Sequence, residues 1–168
     1  MMRVQKTAAT LFPVLWLAAA SLLGTACGGG GDDIPEILGT EFLEATMNGG
    51  NEVPPVDTAA SGSADFVVNH ELNTIGFDFS TDGLQDIVAA HIHFGDPGVD
   101  GPIMFTLSTT SSDSANGILG SDDLTLLPDS GINSIDDAIQ AMVDGHTYIN
   151  VHTAAHPDGE IRGQIVER

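Results

Sequence analysis

Two imidazoles stand two residues apart in Ala89-Ala90-His91-Ile92-His93-Phe94, and the chain then breaks at Gly95-Asp96-Pro97-Gly98. Side chains on a strand alternate between faces, so His91 and His93 share one face while Ile92 and Phe94 take the other. The Cα atoms of such a pair lie about 6.5–7 Å apart, and two rings leaning together can place nitrogens on one metal ion at about 2 Å each. A second stretch, Tyr148-Ile149-Asn150-Val151-His152-Thr153, carries His152 on the face opposite Ile149 and Val151. His156 follows in a loop and is within reach as a fourth ligand. His70 falls at a turn. His146 lies six residues of strand from His152, about 20 Å away, and does not belong to the same group. The pattern predicts that nitrogens of His91, His93 and His152 converge to within about 4–5 Å of one another.

Three or four imidazoles without a thiolate suit Cu(II) or Zn(II), with copper taken ahead of zinc. Asp96, Asp100, Asp158 and Glu160 are candidates to orient the rings as outer acceptors. The run Asp96-Pro97-Gly98-Val99-Asp100-Gly101 offers oxygens but matches no dedicated calcium loop. A single strand histidine is more often a structural residue bonded to backbone or carboxylate. The shared face of His91 and His93 is what favours a metal here. Arg162, between Glu160 and Gln164 on one face of its strand, reads as a structural clamp on an acid such as Glu52.

Other chemistries lack their parts. There is no Gly-x-Ser-x-Gly elbow and no phosphate loop with lysine. The single cysteine, Cys27, rules out an intrachain disulfide and lies far from the histidine stretches. It follows a leader: Arg3 and Lys6, an apolar run from Ala8 to Leu23, then small residues. Residues 1–26 are therefore expected to form a signal peptide. Cys27 would be the lipidation site of an exported lipoprotein at the outer membrane or cell surface, with residues 27–40 as a Gly/Asp-rich tether and the membrane as partner. Ordinary cleavage after Ala26, giving a periplasmic or secreted protein, is the alternative. The mature chain keeps Arg162 and Arg168 against 24 acids, a net charge of −22. Such a surface repels phosphate backbones and excludes nucleic acid as a partner; no protein partner is indicated.

The elements that must position the histidines are short alternating runs broken by Gly, Asn, Asp and Pro, the spacing of an all-β sandwich. Strands are expected at 42–47, 63–69, 74–80, around 91–93, 103–108, 147–153 and 159–166. Glu52 to Val56, with two prolines, reads as an extended edge segment. Thr109 to Asn116 reads as a loop. One short helix is expected near 134–144, with Ser134 as N-cap, Asp137 reaching back, and an apolar stripe of Ile135, Ala138, Ile139, Met142 and Val143.

Several of these motifs, in this order, resemble the CHRD domain: Asn51-Glu52-Val53-Pro54-Pro55-Val56, Ala60-Ser61-Gly62, Ala90-His91-Ile92-His93, Gly101-Pro102, and Tyr148 to Thr153 with Gly159-Glu160-Ile161-Arg162-Gly163-Gln164. The resemblance spans about residues 41–166 and implies an extracytoplasmic β-sandwich with no settled activity. More distantly, His-x-His before Phe-Gly-Asp, with a later Val-His, is similar to the copper strands of Cu/Zn superoxide dismutase. This implies His91, His93 and His152 as copper ligands. The zinc loop and disulfide of that family have no counterpart here, and the acidic surface opposes steering of an anionic substrate. The expectation is an antiparallel Greek-key β-sandwich at 41–168, Ig-like or dismutase-like. It would bind copper, or alternatively zinc, through His91, His93, His152 and His156. A non-catalytic adhesion module with structural histidines ranks second, and a redox enzyme third.

Overall fold

The computed structural model describes residues 39–108 and 112–168. The leader, Cys27 and nearly all of the tether lie outside the described residues. The tether's last two residues belong to the domain, since Gly39 turns and Thr40 already begins the first strand.

The described residues form nine strands and one α-helix in chain order: β1 (Thr40–Asn48), β2 (Ser61–Asn69), β3 (Thr74–Asp82), β4 (Ile87–Phe94), β5 (Ile103–Ser108), β6 (Ser114–Leu119), α1 (Ile135–Val143), β7 (Thr147–Thr153), β8 (Ile161–Gln164) and β9 (Val166–Glu167). All pairings are antiparallel, in the order β5-β4-β7-β8-β1-β2-β3-β6, with β9 on β1. β4 and β5 form a hairpin in one half of the sheet, and β6 returns to lie beside β3 in the other, a Greek-key return. The sheet folds over on itself as the expected all-β sandwich.

Alternation builds the core. Leu43, Ala45 and Met47 of β1, Ala64, Phe66 and Val68 of β2, and Ile75, Phe77 and Phe79 of β3 all point inward, while their neighbours face water. Ile92, Ile149, Val151 and Ile161 close the same core from the other half. The β2–β3 hairpin turns at residues 70–73. Asn73 takes a left-handed conformation (φ +50°) that Asn tolerates, and the Asn69 carboxamide accepts from the Leu72 N–H at 2.9 Å.

The helix forms where its signals place it. Ser134 Oγ accepts from the Asp137 N–H at 3.2 Å and donates to Asp137 Oδ2 at 2.9 Å. That carboxylate also takes the Asn133 N–H at 3.0 Å, one residue earlier than the usual capping box. Ile135, Ala138, Ile139 and Met142 are buried, and Gly145 (φ +76°) follows the helix end in the conformation suited to glycine.

Two expectations are corrected. Residues 114–116 are strand, not loop, because β6 pairs with β3 from Ser80↔Ser114 to Ile75↔Leu119. Its polar, small sequence hides this, since only Leu119 is fully buried. Gly117 serves the pairing, as a Cβ there would lie 2.9 Å from the Phe77 ring. The Glu52–Val56 segment joins no strand. It is a bend tied to Gly49, whose carbonyl accepts from Glu52 and Val56, and it delivers Glu52 into the interior.

β8 and β9 are interrupted at Ile165, whose N–H donates to Thr147 at 2.9 Å. The final strand thus runs between β7 and β1. The approach is close: a Cβ on Gly163 would stand 2.6 Å from the Thr46 carbonyl oxygen. β7 is buried along its whole length, on both faces. The face carrying Tyr148, Asn150 and His152 is therefore enclosed, and what encloses it defines the site.

Candidate metal centre

The β4–β7 register sets the histidines. His91 stands opposite Asn150, His93 opposite Tyr148, and His152 opposite Ala89. His152 is thus the diagonal neighbour of His91, a spacing across which side chains on one face still meet. One nitrogen from each of His91, His93 and His152 falls within 4.8 Å of the others. His91 Nδ1 and His152 Nε2 are 2.9 Å apart. His93 and His152 are buried and His91 is half-buried.

Backbone carbonyls fix two of the three rings. His93 Nδ1–H donates to the Gly101 carbonyl at 2.8 Å, and His152 Nδ1–H donates to the Pro157 carbonyl at 2.9 Å. A carbonyl only accepts, so in each ring Nδ1 carries the proton and Nε2 holds the lone pair. The Nε2 of His93 is buried and has no hydrogen-bond partner among the described residues. Between His91 and His152 the proton sits on His91 Nδ1 and is donated to His152 Nε2.

The same surroundings keep the rings neutral. Burial, and then the two neighbouring imidazoles, push His91 down to about 4. Burial lowers His93, opposed by its Gly101 bond and aided by His152 and the Arg162 guanidinium. Burial also lowers His152, partly offset by the Pro157 carbonyl. Three neutral imidazoles close together, with a free lone pair on His93 Nε2 and with His152 Nε2 engaged only by its neighbour His91, have the donor chemistry of a Cu(II) or Zn(II) site. The orphaned Nε2 of His93 is the observation that fits a metal best, since a buried acceptor left without a partner is costly.

Other sequence candidates are placed elsewhere. His156 does not join the group. Its backbone brackets Thr153, and the residue lines a surface cleft of about 270 Å³ with Glu52, Pro54 and Pro157. The loop serves the site through the Pro157 carbonyl, next to the expected residue. His70 pairs with Glu41 at 3.3 Å, and His146 with Asp96 at 2.6 Å, both apart from the group as expected.

The acids do not orient the rings by direct bonds. Asp96 takes His146, Asp100 takes Arg162, and Glu160 accepts from Thr58 and Thr153 at 2.9 and 2.6 Å. Asp158 acts on His152 only through its charge. Backbone carbonyls occupy the outer positions instead, and a carbonyl leaves no mark in a sequence. Only the requirement for glycine does: a Cβ at Gly101 would fall 1.6 Å from the Phe94 carbonyl oxygen.

The expected Arg162–Glu52 ion pair is also corrected. Arg162, 2% exposed, gives Nη1 to Asp100 Oδ1 at 3.3 Å and Nη2 to the carbonyls of Asp96 and Val99 at 3.1 and 2.9 Å. Its fork is committed to the 95–102 loop. Glu52 lies near enough to feel the charge, yet burial dominates and pushes its carboxyl up to about 7. Its Oε1 is buried without a partner.

Sequence reasoning also missed Tyr148. Its ring stacks on His93 (centroids 4.9 Å apart, planes 11° apart), and Arg162 Cζ lies 3.3 Å from the centre of the Tyr148 ring. Its strand parity with His152 was the available signal.

A family model for the CHRD domain matches residues 43–165, so the chain belongs to the CHRD-domain family. No curated protein and no solved structure matches it. The likeness to Cu/Zn superoxide dismutase rests on the histidine motif and the sandwich architecture alone.

Proposed function

We propose that this CHRD-domain protein binds one transition-metal ion, copper ahead of zinc, through His91, His93 and His152. One observation carries the reading. Three imidazole nitrogens lie within 4.8 Å of one another, and carbonyls take the Nδ1 proton of two of the rings, which leaves a lone pair on each Nε2: unpartnered in His93, and bonded only to His91 in His152. When bound, the metal supplies a redox or Lewis-acid centre, and the protein supplies rigid neutral donors. Holding or handing on the ion fits better than turnover. The acidic surface opposes an anionic substrate such as superoxide, and the mature chain has no lysine to relieve it.

The leader and Cys27 support an exported, lipid-anchored protein that presents this site outside the cytoplasm. Loss of membrane association in Cys27→Ser would be the matching observation for the anchor. For the metal, the decisive measurement is stoichiometry. Purified protein is expected to take up one Cu(II) or Zn(II), and the His91→Ala/His93→Ala double variant to take up none at the same concentration. Equal uptake by both proteins refutes the site.

A further inference from the structure

The loop from Gly95 to Pro102 closes over the polar face of β7, and several of the bonds that hold it come from β7 and β8. Arg162 grips it at Asp96, Val99 and Asp100. Gln164 Nε2 donates to the Gly95 carbonyl at 3.0 Å. The Tyr148 hydroxyl accepts from the Gly101 N–H at 3.2 Å. The carbonyl of that same Gly101 takes the His93 Nδ1 proton. Tyr148 therefore touches His93 twice, by its ring face directly and by its hydroxyl through Gly101. Arg162 lies on the other side of the Tyr148 ring and fixes that ring in turn.

We infer that Tyr148 and Arg162 are positioning residues for the metal centre: together they hold the 95–102 loop so that the Gly101 carbonyl keeps the proton of His93 on Nδ1 and its Nε2 lone pair turned toward His91 and His152. The inference deepens the metal-binding reading and rests on it for its effect on affinity, but not for its effect on His93. The chemistry is that of an outer partner that sets ring orientation and tautomer, here a carbonyl with its own supports one layer further out. It also joins Gly101, Tyr148 and Arg162, which lie far apart in sequence. Each is one contact in a single chain running from Arg162 to His93.

The test is Tyr148→Phe, which keeps the ring and its stacking and removes the bond to Gly101. Nitrogen-15 NMR of the metal-free protein reads the tautomer of His93 without any metal. The wild type is expected to show Nδ1–H alone, and the variant a mixture with Nε2–H. Copper and zinc affinity, by competition with a chelator of known strength, is expected to fall about tenfold or more, in the range for loss of an outer-layer partner. Arg162→Lys, which keeps the charge but loses the fork, is expected to move both readouts the same way. The inference is overturned if His93 stays entirely Nδ1–H in Tyr148→Phe, or if affinity stays within about twofold of wild type. Should wild-type protein bind no metal, the proposed function fails, and the His93 tautomer alone decides the positioning role. Should Tyr148→Phe not fold, Arg162→Lys is judged by the same two readouts. Unchanged NMR and affinity in that variant overturn the inference equally.

Discussion

Glu52→Gln is expected to stabilise the protein at pH 8 and to leave it nearly unchanged at pH 4.5. The Glu52 carboxyl is 6% exposed, its Oε1 has no partner, and burial raises it from 4.5 to about 7 despite the nearby Arg162. The sign follows from linkage. The folded state holds this proton more tightly than the unfolded chain does, so no penalty exists below pH 4.5. The penalty grows as pH rises from 4.5 to about 7 and is constant above that. A shift of this size corresponds to about 3 kcal/mol, and allowing for water that reaches the cleft beside Glu52 lowers the figure to about 2 kcal/mol. Glutamine has the same shape and carries no charge, so it removes the penalty. Urea unfolding followed by far-UV circular dichroism at pH 4.5 and pH 8 measures the difference; the domain's lack of tryptophan makes fluorescence unsuitable. If the variant is instead less stable at pH 8, the Glu52 carboxylate is stabilised by Arg162, as the strand pattern suggests, rather than penalised by burial, and the reasoning from burial fails.

Metal binding should resist acid. Each imidazole with an unshifted value of 6.5 would cost about tenfold in affinity at pH 5.5, whereas His91 at about 4 adds almost nothing and the lowered His93 and His152 each add less than about tenfold, so the total loss should stay below about a hundredfold. Competition titrations at the two pH values check this, and a loss of about a hundredfold or more at pH 5.5 would mean that the rings are not shielded. Gly163→Ala forces a methyl against the Thr46 backbone at 2.6 Å, where no side chain can yield. It is expected to cost about 1–3 kcal/mol in urea unfolding, and an unchanged midpoint would show that β1 and β8 can separate freely.

Much of the site was legible because strand geometry has a period of two. That period puts His91 and His93 on one face without any knowledge of the fold, and parity gives His152 the same polar face of its own strand. The helix was legible for a similar local reason, since Ser134, Asp137 and the apolar stripe all act within one or two turns. β6 was not legible. Its stability comes from pairing with β3 and from the Phe77 ring over Gly117, and a run such as Ser-Ala-Asn-Gly carries little trace of either. His156 was misplaced because a loop residue has no parity to constrain it; its loop reaches the site instead through the Pro157 carbonyl, which accepts from His152 Nδ1.

By itself the sequence determined the alternation, the donor types and the faces on which the donors stand, because these depend on neighbours along the chain. Tertiary structure decided which strands lie side by side, and so whether three imidazoles share a point. The diagonal meeting of His91 and His152 comes from the β4–β7 register. It also decided the partners of Arg162 and the burial of Glu52. A guanidinium bonds whatever acceptors the closed sheet brings to it, and here these are two carbonyls and Asp100 on a loop more than sixty residues away. Backbone carbonyls orient the histidines, and every residue has one. Only the fold selects which of them reach a ring nitrogen.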